Sequence, residues 1–211
     1  QAEQKFSDRG FTLQFTPNAW KQRFGKSAPA RIRAHELTSL LQDDKVDLII
    51  PPWGGELLME ILNHIEWQSL PAKWMLGYSD TSLLLFVYTL KTGIASAHGP
   101  NLVDLRADLW DETSSRWLDV LSTRTDETVI QRSSEKFQSE WQHDNPTPHL
   151  FHLTETTEWK AIGGQNATGR LLGGCLDVLL HTIGTPYGDV KTFQRDHLND
   201  EPILWYFENA E

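Results

Sequence analysis

The chain has 211 residues, a net charge of −10 and a single cysteine, Cys175. The acidic balance, with no compensating Lys/Arg cluster, argues against a nucleic-acid partner. The lone thiol excludes an internal disulfide and fits a reducing compartment. The longest apolar run, Leu83 to Val87, is far too short to span a membrane.

Taken in chain order, Gln1 to Arg9 reads as the tail of a helix that turns at Gly10, so the first strand of the fold is expected to precede it. No charged-then-apolar leader opens the sequence, and a cytoplasmic location is expected. Phe11 to Phe15 alternates like a short strand. Ile32, Leu37, Leu40 and Leu41 fall near helical spacing between Ser27 and Asp43. The run Val46 to Ile50, stopped by Pro51 and Pro52, reads as a buried parallel strand. A helix is expected over Glu56 to Ile65, a second buried strand over Lys73 to Tyr78, and a helix over Thr81 to Lys91 ended by Gly93 in a left-handed cap. "IASAHGP" gives one more short strand. Strand and helix thus alternate as in an α/β domain.

Beyond that point the pattern loosens. Thr113 to Leu121 reads as a helix and "ETVIQ" as a strand. Ser133 to Glu158 is polar and without period, which predicts a loop-rich insertion. A Gly-rich stretch follows from Ala161, and Pro202 to Phe207 reads as a further strand. The expected organisation is an N-terminal α/β domain over 1–125, with a parallel sheet and helices on both faces. A linker with a ligand-facing loop over 126–160 and a smaller, incomplete C-terminal α/β domain over 161–211 complete it. Trp53, Trp67, Trp74, Trp110, Trp117 and Trp205 lie in or beside predicted elements and are expected in the core.

Several places carry candidate chemistry. Ser79, in "GYSDT", sits between a predicted strand and a predicted helix. It is read either as a helix cap or as a nucleophile on a sharp strand-to-helix turn, whose following amides and helix dipole would stabilise an oxyanion. Gly54 and Gly55, in "PPWGGE", let backbone approach a ligand and offer N–H groups, or form an ordinary turn. Glu208 ends the last strand, as a carboxylate that orients a catalytic imidazole or as a solvated loop group. His98 lines the same strand edge or is a turn residue. His143, His149 and His152 lack metal-ligand spacing, so no metal and no cofactor are expected. Trp141, in polar surroundings, is a stacking platform for a flat ligand or a loop-packing residue.

Together, "GYSDTSLLLFVYTLKTGIASAHGP", the earlier "GG", "GRLLGGCLDVLLHTIGTPYG" and "ILWYFENAE" resemble, in that order, the LD-carboxypeptidase family of serine peptidases, most of all its microcin C self-immunity branch. The resemblance implies a metal-free Ser–Glu–His triad with Ser79 and Glu208 as two members. It implies an oxyanion hole from the amides of Asp80 and Gly55, a substrate contact at Gly54, and Trp141, in "EKFQSEW", against a nucleotide base. The family's histidine follows its glutamate at a distance, whereas here three residues follow Glu208, so the chain is expected to be a fragment. Where many carboxypeptidase members carry Arg before the glycine pair, this chain has Trp53. The implied function is hydrolysis of the amide bond in a peptidyl- or aminoacyl-nucleotide of microcin C type. The alternatives are release of terminal D-alanine from murein tetrapeptides and, without catalysis, sequestration of the nucleotide–peptide. A homodimer is the implied assembly, with no nucleic-acid or membrane partner.

Overall fold

A computed structural model describes residues 2–142, 144–164, 166–199 and 201–209. The elements in chain order are α1 (Ala2–Asp8), α2 (Ala30–Gln42), β1 (Leu48–Ile49), β2 (Trp74–Gly77), α3 (Thr81–Thr92), β3 (Ala97–His98), α4 (Glu112–Leu121), β4 (Lys136–Phe137), β5 (Glu155–Thr156), β6 (Arg170–Cys175), α5 (Leu176–Leu179), α6 (Val190–His197) and β7 (Ile203–Glu208). The fold is mixed α/β with parallel sheets, as the alternation predicts. The chain divides into two compact units, interleaved in sequence: 1–13 with 102–166, and 14–101 with 167–211.

The unit formed by 14–101 and 167–211 is built around α3. Leu83 to Tyr88 are apolar on every side, and each is buried, Val87 and Tyr88 completely. A helix apolar all round needs cover all round. Here α3 packs against the parallel sheet β1–β2–β3, and Leu172, Leu179 and Phe193 from the later part of the chain join the same core. Burying a side chain of this size typically contributes about 1.5–3 kcal/mol, so this one helix anchors the unit. Gly93 ends it at φ 71°, the left-handed cap expected. The second sheet pairs β6 and β7 in parallel over six residues, from Arg170 opposite Ile203 to Cys175 opposite Glu208.

Two sequence expectations for this unit need correction. Phe11 to Phe15, which crosses from one unit to the other, forms no strand. The Phe11 amide instead donates to Phe6 O and closes the turn after α1. The helix expected at Glu56 to Ile65 is a 3-10 helix, Leu58–His64. Its entrance is pinned by tertiary partners: the Leu58 amide donates to Asp80 and the Arg33 guanidinium donates to Leu57 O. The same guanidinium pairs with Glu60, which also pairs with Lys26.

The other unit holds α1, α4 and the antiparallel pair β4–β5. Asp111 caps α4 by accepting from the Thr113 and Ser114 amides at 2.9 and 3.0 Å, an interaction typically worth about 1 kcal/mol. Phe6, Phe11, Trp110 and Trp117 form its aromatic cluster, and the Arg9 guanidinium lies 4.3 Å from the Trp110 ring. The strand expected at "ETVIQ" is absent: Ile130 is 79% exposed and no strand of the described residues pairs with it. Among the described residues no helix is long and apolar enough to cross a membrane.

Trp53 and Trp205, expected in the core, are exposed. Trp53 lies in the loop beyond β1. Trp205 takes the outward face of β7, where it stacks on Phe207 two residues later, as the period of a strand requires.

Candidate active site

Three parallel strands bring their carboxyl ends to one edge. Ile49 is level with Met75, and Gly77 is level with His98. The glycine loop after β1, Ser79 after β2 and His98 at the end of β3 therefore gather there, where ligands of open α/β sheets bind.

Ser79 adopts φ 61°, in the left-handed region. A non-glycine residue held in such a region costs on the order of 1–3 kcal/mol and persists only when its surroundings over-determine it. The surroundings are identifiable. The Ser79 amide donates to Glu208 Oε1 at 3.2 Å, and the Ser79 carbonyl accepts from the Ser82 amide at 2.9 Å and the Ser82 hydroxyl at 2.7 Å. On the strand side, Gly77 is required. A Cβ there would lie 2.6 Å from Thr81 Cγ2 and 3.0 Å from Asn101 Oδ1, the atom that accepts from the Tyr78 amide. The turn is thus sharp, strained and held at both peptide groups. Ser79 does not provide a side-chain cap for α3, whose first flanking residue is Asp80.

The glycine loop abuts this turn. A Cβ on Gly54 would stand 3.0 Å from both Ser79 Cβ and Ser79 Oγ, so glycine lets the loop backbone approach the hydroxyl. A Cβ on Gly55 would make an ordinary 3.5 Å contact with the Asp80 carboxylate. That carboxylate is buried and accepts from the Leu58 amide at 3.0 Å. Burial pushes the Asp80 carboxyl up from its ordinary range, against the pull of the Leu58 and Leu57 backbone bonds and the Arg33 charge. Asp80 therefore ties the serine turn to the segment just after the glycines.

Glu208 is delivered by β7. One of its carboxylate oxygens takes the Ser79 amide and the other lies 3.3 Å from His98 Nε2. Burial acts to raise its pKa, but the His98 hydrogen bond and charge and the Ser79 amide outweigh it, leaving Glu208 below the usual carboxylate range. An ionised carboxylate offers about four lone-pair sites, so two remain for a further donor. The His98 ring packs 5.3 Å from the Tyr206 ring, and His98 Nδ1 is buried without a partner among the described residues. Tyr206 is itself pushed up to about 12 by burial and by the Glu208 charge.

Of the residues singled out in the sequence, Ser79, Asp80, Gly54, Gly55 and Glu208 come together in one unit, and His98 joins them. Trp141 belongs to the other unit, where it is 60% exposed with its ring 6.1 Å from that of Phe151. His143 lies outside the described residues. No group of three metal-ligating side chains occurs among the described residues. Ser82 and Tyr206 carry no sequence signal. Their roles follow from contacts between residues far apart in the chain. The pairing of His98 with Glu208 likewise joins strands of two separate sheets and is not marked by any local pattern.

Comparison with known proteins finds similar sequences and folds. The family model described as the LD-carboxypeptidase N-terminal domain matches residues 1–99. A carboxypeptidase-named protein of Vibrio cholerae is 32% identical over 210 residues, covering 96% of this chain and 61% of that protein. The microcin C7 self-immunity protein MccF of Escherichia coli is 24% identical over 188 residues, covering 85% of this chain and 54% of its own length. The crystal structure of an MccF-like protein from Bacillus anthracis superposes with a TM-score of 0.80 at 22% identity, over 99% of this chain and 60% of that one. The chain spans about three-fifths of the length of the Vibrio protein and little more than half of the Escherichia coli one. Residues 1–99 are thus similar to the LD-carboxypeptidase N-terminal domain, and the chain over nearly its whole length is similar to proteins named carboxypeptidase and MccF.

Proposed function

We propose that the protein is a serine hydrolase that cleaves the amide bond of a peptidyl- or aminoacyl-nucleotide of microcin C type. The observation that carries this reading is Ser79, left-handed at a strand-to-helix turn with its amide on Glu208. Ser79 Oγ attacks the scissile carbonyl and its proton passes to an imidazole. The amides of Asp80 and Gly55 stabilise the oxyanion, a donor of this kind being worth about 10²–10³-fold in rate. Collapse breaks the C–N bond, the imidazolium protonates the leaving amine, and water then hydrolyses the acyl-serine. Glu208 orients and charge-stabilises that imidazole. The family pattern supplies the imidazole from a position beyond Glu208, and His98 keeps one oxygen of the carboxylate in place. No cofactor enters.

The nucleotide reading is supported by the likeness to the microcin C7 self-immunity protein and by Trp53 in place of a basic residue before the glycine pair. In this reading Trp141 stacks on the base, Gly54 lines the acyl site, and a cytoplasmic homodimer protects the cell from the compound. The second reading, release of D-alanine from murein tetrapeptides, is favoured by the higher identity to the carboxypeptidase-named Vibrio protein. Paired assays separate them. The intact protein is expected to hydrolyse aminoacyl-sulfamoyl-adenosine, and Ser79→Ala is expected to abolish turnover. Release of D-alanine with no action on the nucleotide selects the second reading. Tight calorimetric binding with no product by mass spectrometry selects sequestration. Undiminished turnover by Ser79→Ala defeats both hydrolase readings.

A further inference from the structure

Ser82 has no exposed surface, and its hydroxyl is fully engaged between two elements. It donates to Ser79 O at 2.7 Å and accepts from the Cys175 amide at 2.9 Å. Back-bonding from a serine to a carbonyl three residues earlier is common in the first turn of a helix and by itself means little. The second bond is different, because Cys175 lies 93 residues away at the end of β6. The approach is close enough to need glycine. A Cβ on Gly174 would stand 2.8 Å from Ser82 Cβ and 3.0 Å from Ser82 Oγ.

Cys175 is the residue opposite Glu208 in the β6–β7 ladder, and Glu208 accepts the Ser79 amide. The contacts therefore close a ring. Ser79 N–H reaches Glu208, Glu208 is in register with Cys175, Cys175 N–H reaches the Ser82 hydroxyl, and that hydroxyl reaches Ser79 O. Both peptide groups that define the left-handed conformation of Ser79 are fixed by this ring. We infer that Ser82 is a positioning residue, whose hydroxyl couples the aim of the Ser79 nucleophile to the strand pair that carries Glu208. The inference rests on the reading of Ser79 as nucleophile.

Removing the hydroxyl takes away the hydrogen-bond partner of the buried Cys175 amide, which costs the desolvation of that donor. The Ser82 amide still holds Ser79 O, so the turn persists but its tie to β6 does not. Displacements of this scale from productive geometry cost on the order of tenfold to a hundredfold in rate. The test is steady-state kinetics of the intact protein as Ser82→Ala and as the near-isosteric Ser82→Cys, with thermal melting of each. Labelling of Ser79 by a fluorophosphonate is followed in parallel. The expected result is a kcat lowered about tenfold or more, KM within about twofold, and proportionately slower labelling in both variants. Ser82→Cys matters because it keeps the volume while weakening the hydrogen bonds. Wild-type kcat and labelling in a folded Ser82→Cys would overturn the inference. So would a rise in KM alone, or outright unfolding of both variants, since the hydroxyl would then serve binding or the fold rather than Ser79. Turnover surviving in Ser79→Ala would instead remove the catalytic reading on which the inference rests.

Discussion

The two parallel sheets of the unit formed by 14–101 and 167–211 each contribute to the candidate site, and they do so by different means. In β1–β2–β3 the strands are two to four residues long. Ser79 owes its place to a strained turn, to the glycines beside it and to side-chain bonds from Glu208 and Ser82. In β6–β7 the ladder runs six residues, and Glu208 owes its place to register. A one-residue slip would turn every β7 side chain to the opposite face and carry Glu208 away from Ser79. Ser79 is thus set by local strain under tertiary control, and Glu208 by a continuous ladder. Damage to the second sheet is expected to act on stability and site together, and damage around the first mainly on the site.

The largest effect is expected from Gly173→Ala. A Cβ at Gly173 would overlap the Tyr206 carbonyl of the paired strand, so the ladder must open. Overpacking against backbone typically costs about 1–3 kcal/mol and occasionally more. A lowered urea midpoint together with lost activity is the expected outcome, and an unchanged midpoint would break the comparison. Gly54→Ala comes next. Its added methyl meets Ser79 at 3.0 Å and is expected to lower kcat about tenfold to a hundredfold with little change in melting temperature. Gly55→Ala, where the contact is an ordinary 3.5 Å, is expected to lose less. Equal losses in the two would remove the special standing of Gly54.

An intermediate effect concerns pH. The pKa of Glu208 is lowered in the folded protein because the His98 interaction and the Ser79 amide outweigh burial. A depressed carboxylate contributes stability that is present above its unfolded pKa and is lost as pH falls through the folded one. Stability is therefore expected to drop on acidification through and below the usual carboxylate range, and Glu208→Gln is expected to flatten that drop. Denaturant midpoints at neutral and acid pH measure it. An identical acid slope in wild type and variant would mean that Glu208 is not held by its neighbours. The smallest stability effect is expected at Trp141. Its indole is 60% exposed, so Trp141→Ala is expected to shift stability by at most about 0.5 kcal/mol. On the nucleotide reading, the same change is expected to weaken substrate binding by about 1–3 kcal/mol, the usual worth of one stacked base.

This contrast also explains what was legible in the sequence. Leu83 to Tyr88 and the runs ending at Ile50, Gly77 and Phe207 are apolar and bounded by Gly or Pro, so their apolar character alone announces α3, β1, β2 and β7, although β1 and β7 are only partly buried. Phe11 to Phe15 and "ETVIQ" show similar local patterns and form no strand, because no paired neighbour exists among the described residues. Secondary structure that depends on a partner is invisible until the partner is placed. At the site, "GYSD" and the glycine pair mark Ser79 and Gly54 locally. The link from Ser82 to Cys175 spans 93 residues and the link from Ser79 to Glu208 spans 129. No local period encodes either, and only the register of β6 on β7 brings them about.

The central claim is that Ser79 is an activated nucleophile. Its most direct test is treatment of the intact protein with a fluorophosphonate, followed by peptide mass mapping. The account predicts a single stoichiometric adduct on Ser79 that is absent in Ser79→Ala and formed more slowly in Glu208→Gln. An unmodified Ser79, or an adduct formed equally fast without Glu208, would contradict it.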